Sequence, residues 1–377
     1  MPLERAQPSA ARRLLSLDLF RGVDIAFMIL VNNGGMAPYH PLTHTVWNGW
    51  TPTDLVFPTF LFIMGVSMRL SFTARMARGE KKSTLLAHVF RRFVILFLLG
   101  LVVNGFPFFP LHTLRIYGVL QRIAICYLLA SLLELWTAST RVKIAVTAVC
   151  LVGYWVLLRY VPVPGYGVPG HAIPFMDMNR NIVSWLDRRI FPGRLYVGTR
   201  DPEGLLSDIP AVGSVLLGML TGTWLQSART LQQKCRGMLL AGVIGIALGE
   251  LWNPWFPMNK NLWTSSYVLF SAGVAAVLFA LFYWMVEIRQ WRGGWTFFWL
   301  VFGTNAITAY VLSELLAASL WAIHVGPKLT FERWFYLRTF AHIHPPGVGS
   351  LVYAITFVLV CWLPMLVLYR KKIFLKV

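Results

Sequence analysis

Ten long apolar stretches run along this sequence and constrain its fold more than any other feature. A helix needs about 20 mostly apolar residues to cross a hydrocarbon core of about 30 Å, and each stretch is near that length. We therefore predict an all-α fold: a polytopic membrane bundle of about ten transmembrane helices, with residues 1–377 forming a single domain. Gly303 interrupts the ninth stretch. The predicted spans are approximately 16–35, 53–73, 88–106, 116–136, 142–161, 208–226, 236–252, 262–286, 297–323 and 348–369.

The charge distribution predicts how the chain lies in a membrane. The 34 Lys and Arg exceed the 15 Asp and Glu by 19, but a chain that is 57% hydrophobic is not typical of nucleic-acid-binding proteins. Twenty of the basic residues lie before the first stretch, after the last one, or in or beside alternate connectors. Since Lys and Arg collect on the cytoplasmic side, both termini should be cytoplasmic. We predict an integral membrane protein, with the lipid bilayer and no nucleic acid as partner.

The connectors of the opposite face have a different composition. They hold seven of the eight histidines and many Pro, Gly, Trp and Asn residues. Segment 162–207 is the longest, and it is too short and too rich in Pro and Gly to fold alone. We predict that it is an extracytoplasmic loop within the single domain. The outward connectors are 36–52, 107–115, 162–207, 253–261 and 324–347.

Charged residues inside the predicted spans are candidates for function, because they are costly in a membrane. Asp18, Arg21 and Asp24 follow one another at spacings of three, so they lie on one side of the first helix. They form either an interfacial ion pair or the wall of a site for an anionic ligand. Arg122, which follows Gln121, needs a partner within the bundle. It is either a site residue or half of a structural pair.

Two further arginines, Arg69 and Arg91, lie near the predicted cytoplasmic boundary. Each alone is typical of a residue that anchors a helix to lipid headgroups. Together with Arg21 they would suit the phosphates of a nucleotide-type ligand, because arginine binds phosphate through two parallel hydrogen bonds.

The most unusual segment runs from Asn32 to Asp54 and contains VNNGG and HTVWNG. His44 is suited to proton transfer near neutral pH. With Asp54 to orient the ring and Asn32 as an amide donor, it would form a catalytic base. The alternative is that these groups only cap two helices in a wet loop. A zinc site on His40 and His44 would need a helix, which two neighbouring prolines disfavour, so we predict no metal.

Two other outward clusters, DPEG at 201–204 and NKNLW at 259–263, combine polar groups with turn residues before a span. The amides and the lysine of the second cluster are able to hydrogen-bond to a sugar, on which an aromatic ring would stack. The alternative interpretation is that both clusters cap helices.

Several motifs occur together in one order along nearly the whole chain. The chain resembles bacterial members of the heparan-α-glucosaminide N-acetyltransferase family. The resemblance implies a polytopic enzyme that moves acetyl from cytosolic acetyl-CoA to the amine of a glucosamine-type sugar on the extracytoplasmic side. The motifs are RLLSLDLFRG (13–22), VNNGG (31–35), HTVWNG (44–49), DLVFPTFLFIMG (54–65), GVLQRIAICY (118–127), DPEGLL (201–206), NKNLW (259–263) and FGTNAI (302–307).

The resemblance also implies which residues form the site. His44 matches the family's active-site histidine, and Asn32 matches its asparagine, while Asn33 stands where the family has an aromatic residue. We expect Asp54 to orient His44, and a homodimer is consistent with the family. Acetyl-CoA is expected beside Asp18, Arg21, Arg69, Arg91, Gln121 and Arg122, and the acceptor beside Asn48, Asp201, Glu203, Asn259, Lys260 and Asn261.

Two other functions fit the same residues. Ten spans with buried Asp and Arg are also typical of a transporter of amino sugars or anionic metabolites, and the residues alone favour that class. No repeat of two halves, which is common in secondary transporters, is visible in the sequence. An O-acyltransferase acting on a glycan hydroxyl would need the same acetyl donor and the same base.

Overall fold

The computed structural model of the protein describes residues 14–375. Within that range the chain forms α-helices joined by loops, with three isolated β-bridges and no β-strand, so the predicted all-α fold is confirmed. The helices are α1 (Leu15–Asn32), α2 (Val56–Ala77), α3 (Lys82–Gly105), α4 (Val119–Trp136), α5 (Thr140–Tyr160), α6 (Ile182–Ile190), α7 (Asp208–Leu225), α8 (Leu231–Trp252), α9 (Ser265–Tyr283), α10 (Gly294–Thr304), α11 (Ala306–Ala322), α12 (Phe331–Thr339) and α13 (Pro346–Arg370).

Eight of the described helices are long and apolar enough to cross a membrane: α2 to α5, α7 to α9, and α13. The ninth predicted span consists of two helices, α10 and α11, between which the chain bends by 77°. The first predicted span is α1, which carries three charged residues, Asp18, Arg21 and Asp24. The predicted ten spans therefore correspond to eight helices, one bent pair and α1. The basic residues before position 14, and Lys376, which contribute to the predicted orientation, lie outside the described residues.

The helices form an inner and an outer layer. The inner helices α2, α7 and α9 bury most of their side chains, and α2 packs along α7. The outer helices α3 and α8 pack along α4 and α9, and few of their side chains are buried. A helix that is apolar on its exposed face is suited to lipid, so α3 and α8 lie at the edge of the bundle.

Glycines allow the inner helices to approach closely. A Cβ atom on Gly65 of α2 would lie 2.0 Å from the carbonyl oxygen of Val215 in α7. A Cβ atom on Gly218 of α7 would lie 2.1 Å from the carbonyl oxygen of Phe62. Small residues at such crossings are typical of membrane bundles, where close backbone packing replaces the hydrophobic effect between helices.

The break in the ninth predicted span lies at Asn305 and not at Gly303. Gly303 is inside α10, where an added Cβ would lie 2.0 Å from the carbonyl oxygen of Asp18, so it is a packing residue. The Asn305 side chain donates to the Ile373 carbonyl oxygen at 3.1 Å and accepts from the Leu375 N–H at 2.9 Å. The break therefore holds the segment that follows α13.

We expect the Gly65→Ala substitution to destabilise the protein by about 1–3 kcal/mol, because the new methyl group overlaps the α7 backbone. Thermal unfolding of purified variants measures this. Gly153→Ala in α5 is a matched control, since nothing lies within 4 Å of the added Cβ. The control should stay within about 0.5 kcal/mol of the wild type. Equal stability of the two variants would contradict the close α2–α7 crossing.

Candidate functional site

Polar residues meet at the end of the bundle where α1 ends and where α2 and α9 begin. The loop before α9 packs on the loop before α2, because the Gly49 N–H donates to the Met258 carbonyl oxygen at 2.8 Å. The Asn259 side chain donates to the Asn48 side chain at 3.1 Å. These contacts join two segments that lie about 200 positions apart in the sequence.

Asp54 is held in place by its own loop. Thr51 and Asp54 form a capping box at the start of the short 3₁₀ helix Pro52–Leu55 that precedes α2. One carboxylate oxygen accepts from the Thr51 N–H at 3.0 Å, the Thr45 N–H at 3.1 Å and the Thr45 hydroxyl at 2.8 Å. The Tyr267 hydroxyl donates to the Asp54 carbonyl oxygen. The carboxylate is almost fully buried, so its second oxygen points in a fixed direction.

That second oxygen lies 2.8 Å from Nδ1 of His44. A carboxylate only accepts hydrogen bonds, so Nδ1 must carry the hydrogen, and the neutral ring then has its free electron pair on Nε2. The His44 side chain is 49% exposed. The structure thus brings the two predicted residues together with the ring open to the surroundings.

Lys260 completes this cluster. Its Nζ lies 3.0 Å from Nδ1 and 3.3 Å from Nε2 of His44, and 3.7 Å from the nearer Asp54 oxygen. Burial lowers the pKa of Lys260, while the carboxylates of Asp54 and Glu203 act in the opposite direction. Lys260 was predicted to contact the acceptor, and its ammonium group lies against the His44 ring.

The amides predicted to bind the acceptor have different surroundings. Asn259 is buried and shapes its own turn, accepting from the Leu262 N–H at 2.9 Å and donating its main-chain N–H to Thr264 at 3.0 Å. Asn48 is exposed, and Asn261 is partly exposed. Asn259 is therefore a loop-forming residue, whereas the other two amides lie where a ligand is able to reach them.

Asn32 lies at the end of α1, and its side chain donates to Glu314 of α11 at 2.9 Å. The neighbouring Asn33 is buried and donates to the carbonyl oxygen of Ile29 in its own helix. Asn32 is thus the asparagine whose amide points away from α1. Sequence reasoning missed Glu314, although an acid inside an apolar stretch is the signal that would have found it.

Asp201 and Glu203 both pair with Arg115 in the loop before α4. The Arg115 Nε donates to Asp201 at 2.8 Å, and Nη2 contacts both carboxylates. The Arg115 guanidinium lies 4.6 Å from the centre of the Tyr196 ring. These two acids, predicted as acceptor contacts, thus join two loops. The sequence marks Arg115 only as an outward basic residue, and its partners are visible only in the fold.

Arg122 of α4 is fully buried, and the structure supports its interpretation as half of a structural pair. Its Nε donates to Asp208 of α7 at 3.0 Å, and its guanidinium lies 4.8 Å from the centre of the Trp263 ring. Gln121 is also fully buried, and a Cβ on Gly100 of α3 would meet it at 2.5 Å. Both side chains lie inside the bundle, where lipid phosphates do not reach.

The arginines predicted for the donor nucleotide lie toward the opposite end of the bundle. Arg21 donates to Asp18 at 3.1 Å and to Ser67 of α2 at 2.6 Å. Arg69 pairs with Glu134 of α4. Ser67, which Arg21 contacts, and Arg69 are two positions apart on α2, so their side chains point about 200° from each other. Arg21 and the Arg69 side chain therefore lie on different faces of α2. Arg91 is exposed on α3, so the predicted three-arginine cluster stays a prediction.

A cavity of about 510 Å³ opens at the same end, between α1, α10 and α13. It contains two basic side chains, one acidic side chain and two aromatic rings. In the sequence, Arg370 and Lys372 contribute only to the predicted membrane orientation. The cavity is lined by Leu15, Asp18, Leu300, Thr304, Tyr369, Arg370, Lys372 and Phe374.

Asp187 of α6 lies in segment 162–207, which also contains Asp201 and Glu203. Its Oδ1 accepts from the Leu205 N–H at 3.1 Å, and the side chain is almost fully buried. Burial raises the pKa of Asp187 to about 7, against the lowering effect of that N–H. The loop therefore holds a carboxyl group that titrates near neutral pH.

Comparison with known proteins gives consistent matches. The sequence model of a family described as "Heparan-alpha-glucosaminide N-acetyltransferase, catalytic" matches residues 13–246. Heparan-alpha-glucosaminide N-acetyltransferase of Homo sapiens is 30% identical over 416 residues, which cover 97% of this chain and 60% of that protein. The Mus musculus protein of the same name is 30% identical over 359 residues, covering 82% of this chain and 54% of that protein. The chain thus spans somewhat more than half the length of these relatives. The resemblance found in the motifs is confirmed.

We expect the contribution of Asp187 to the free energy of unfolding to fall as the pH rises from about 4 to about 7. In this range the folded protein keeps a proton on Asp187 that the unfolded chain, with a pKa of 3.8, has lost. Melting temperatures across the range measure the slope. Asp187→Asn keeps an oxygen for the Leu205 N–H, and its slope should be smaller. An unchanged slope would contradict the assignment.

Proposed function

Because the chain belongs to the heparan-α-glucosaminide N-acetyltransferase family, we propose that it transfers an acetyl group from acetyl-CoA to the amine of a glucosamine-type sugar. The observation that carries this proposal is the His44–Asp54 pair, in which Nδ1 is bound to a buried carboxylate and the His44 side chain is 49% exposed. Both residues lie within the segment that matches the family.

We propose that the His44 end of the bundle faces outward across a bacterial inner membrane. The excess of basic residues at the opposite end, where α13 ends in Arg370 and Lys371, supports this orientation. In that arrangement both termini lie in the cytoplasm, and the acceptor sugar approaches from the extracytoplasmic side. The donor approaches from the cytoplasm, where acetyl-CoA is made.

The cavity between α1, α10 and α13 is our proposed entry point for the donor nucleotide. Coenzyme A is polyanionic, so its phosphates must stay near the cytoplasmic boundary. Arg370 and Lys372 supply positive charge there, and Tyr369 and Phe374 supply rings for an adenine base. Arg21, which binds Asp18 at the cavity wall, lies beside this entry. Arg69 and Arg91 are secondary candidates for phosphate contacts.

From this entry the uncharged pantetheine arm would pass between helices toward His44. Gln121 supports such a path, because its Oε1 is buried and has no hydrogen-bond partner among the described residues. An amide N–H of the arm would satisfy that oxygen, whose burial without a partner is otherwise costly. Arg122, already paired with Asp208, would form part of the wall.

The proposed reaction uses His44 as the general base. Nε2 takes a proton from the sugar ammonium, and the resulting amine attacks the thioester carbonyl carbon. One N–H of the Asn32 amide is bound to Glu314, and the other is available to donate to the oxyanion that forms. When the C–S bond breaks, the leaving thiolate takes the proton from His44. Nε2, again with a free electron pair, then accepts the second proton from the nitrogen that has formed the amide and releases it to water. Nε2 is also the atom that would carry the acetyl group in a two-step route.

The acceptor is proposed to lie at the rim formed by Asn48, Asn261 and Lys260. Asn48 lies in the same loop as His44, and Asn261 follows Lys260. Both amides lie at or near the surface and are able to hydrogen-bond to sugar hydroxyls. Asp201 and Glu203, bound by Arg115, are proposed to shape the loop that borders this rim.

We expect purified protein to acetylate at least one member of a panel of amino sugars when acetyl-CoA is supplied, as measured by mass spectrometry of the products. Replacing His44 with alanine should lower kcat/KM by about 10²–10⁴-fold, because general base catalysis is lost. His40→Ala is the matched control, since His40 is an exposed histidine of the same loop. It should keep wild-type activity.

Three results would contradict parts of this proposal. Full activity of the His44→Ala variant would remove His44 from the mechanism. Acetylation of a sugar hydroxyl in place of the amine would identify an O-acyltransferase. Uptake of labelled glucosamine into vesicles without acetyl-CoA, with no acetylated product, would identify a transporter.

A further inference from the structure

We infer that Lys260 is a positioning residue for His44, whose ammonium group keeps the imidazole ring in its uncharged form, ready to accept a proton. This inference rests on the proposed function. It follows from the position of Lys260 Nζ, which is 3.0 Å from one ring nitrogen and 3.3 Å from the other.

The two near-equal distances define where the ammonium group lies. The electron pairs and hydrogens of an imidazole lie in the plane of the ring and point away from each other. A single nitrogen atom cannot be in line with both, so Nζ lies against the face of the ring. Lys260 therefore acts on His44 through its charge, and the Nε2 position in the ring plane stays open for the acceptor.

The charges around His44 explain why such a residue is needed. Asp54, 2.8 Å from Nδ1, favours the positively charged ring, which has no electron pair for the acceptor's proton. The ammonium of Lys260, which lies against the face of the ring, favours the uncharged ring. Burial, and to a smaller extent Arg122 of α4, oppose the charge of Lys260 and lower its pKa. Asp54 at the start of α2 and Glu203 in the loop before α7 support the charge. The base form of His44 thus depends on the balance between Asp54 and Lys260.

The loop before α9 holds Lys260 in this place. The Lys260 carbonyl oxygen accepts from the Trp263 N–H at 3.1 Å, and the Asn259 carbonyl oxygen accepts from the Thr264 N–H at 3.1 Å. Trp263 has a φ of 52°, in the left-handed region, and its fully buried ring anchors the turn. The side chain of Lys260 is only 16% exposed. A flexible surface lysine would not hold one position, whereas this turn fixes where the lysine side chain begins.

The test is the pH dependence of kcat/KM for sugar acetylation by wild-type protein and the Lys260→Met variant. Losing a positive charge about 3 Å from the ring should move the acidic limb of the profile to higher pH by about one unit. At a pH below the wild-type limb, kcat/KM of the variant should therefore be about tenfold lower than that of the wild type. Lys260→Arg, which keeps the charge, should leave the limb near its wild-type position. Lys328→Met, at an exposed outward lysine, is the matched control and should match wild type.

A Lys260→Met variant that loses activity with an unmoved acidic limb would overturn the inference, since a contact to the acceptor or to the loop changes KM or kcat alone. If that variant does not fold, Lys260→Cys alkylated with 2-bromoethylamine restores the ammonium, and the limb should move back on alkylation. An alkylated protein with the limb of the unmodified one would also overturn it. Wild-type protein that acetylates no amine would instead refute the proposed function, and the inference with it.

Discussion

The start of a helix has backbone N–H groups without a partner inside the helix, and these need acceptors from outside it. At the start of α2 one carboxylate meets this need, because one Asp54 oxygen accepts from Thr51 and Thr45. The second oxygen is then left to orient His44, and the carbonyl oxygen of the same residue receives the Tyr267 hydroxyl from α9. The Asp54 carboxylate, which caps the start of α2, therefore also fixes the orientation of His44, the proposed base. The orientation of His44 thus depends on the capping interactions at the start of α2.

Buried charge pairs connect helices that are distant in sequence. Arg122 of α4 meets Asp208 of α7, and Glu134 of α4 meets Arg69 of α2 and Lys143 of α5. Removing one member of such a pair leaves an uncompensated charge, which is far more costly than losing the contact. These pairs therefore restrict which helices are neighbours. Much of the polarity inside this bundle specifies the fold, and only part of it is left for ligands.

The sequence predicts local features well and distant contacts poorly. Apolar stretches locate the helices because each one reflects the thickness of a membrane. His44 and Asp54 were paired in advance because they lie ten positions apart in one loop. Lys260 comes to the His44 ring from 216 positions away, and Arg115 reaches Asp201 from 86 positions away. Neither contact is visible in the local sequence. Asp201 and Glu203 were therefore expected to contact a sugar, whereas in the structure they bind Arg115.

The close contacts of α2 with α7 at Gly65 and Gly218 affect how these helices are able to move. At Gly65 and Gly218 the backbones of α2 and α7 lie so close that a Cβ atom at either position would collide with the other helix. Carriers expose one site alternately to both sides by rocking one half against the other. Close contact between α2 and α7 restricts a relative movement of these two helices. The proposed transfer reaction needs no such movement, because donor and acceptor would approach the site from different sides of the bundle.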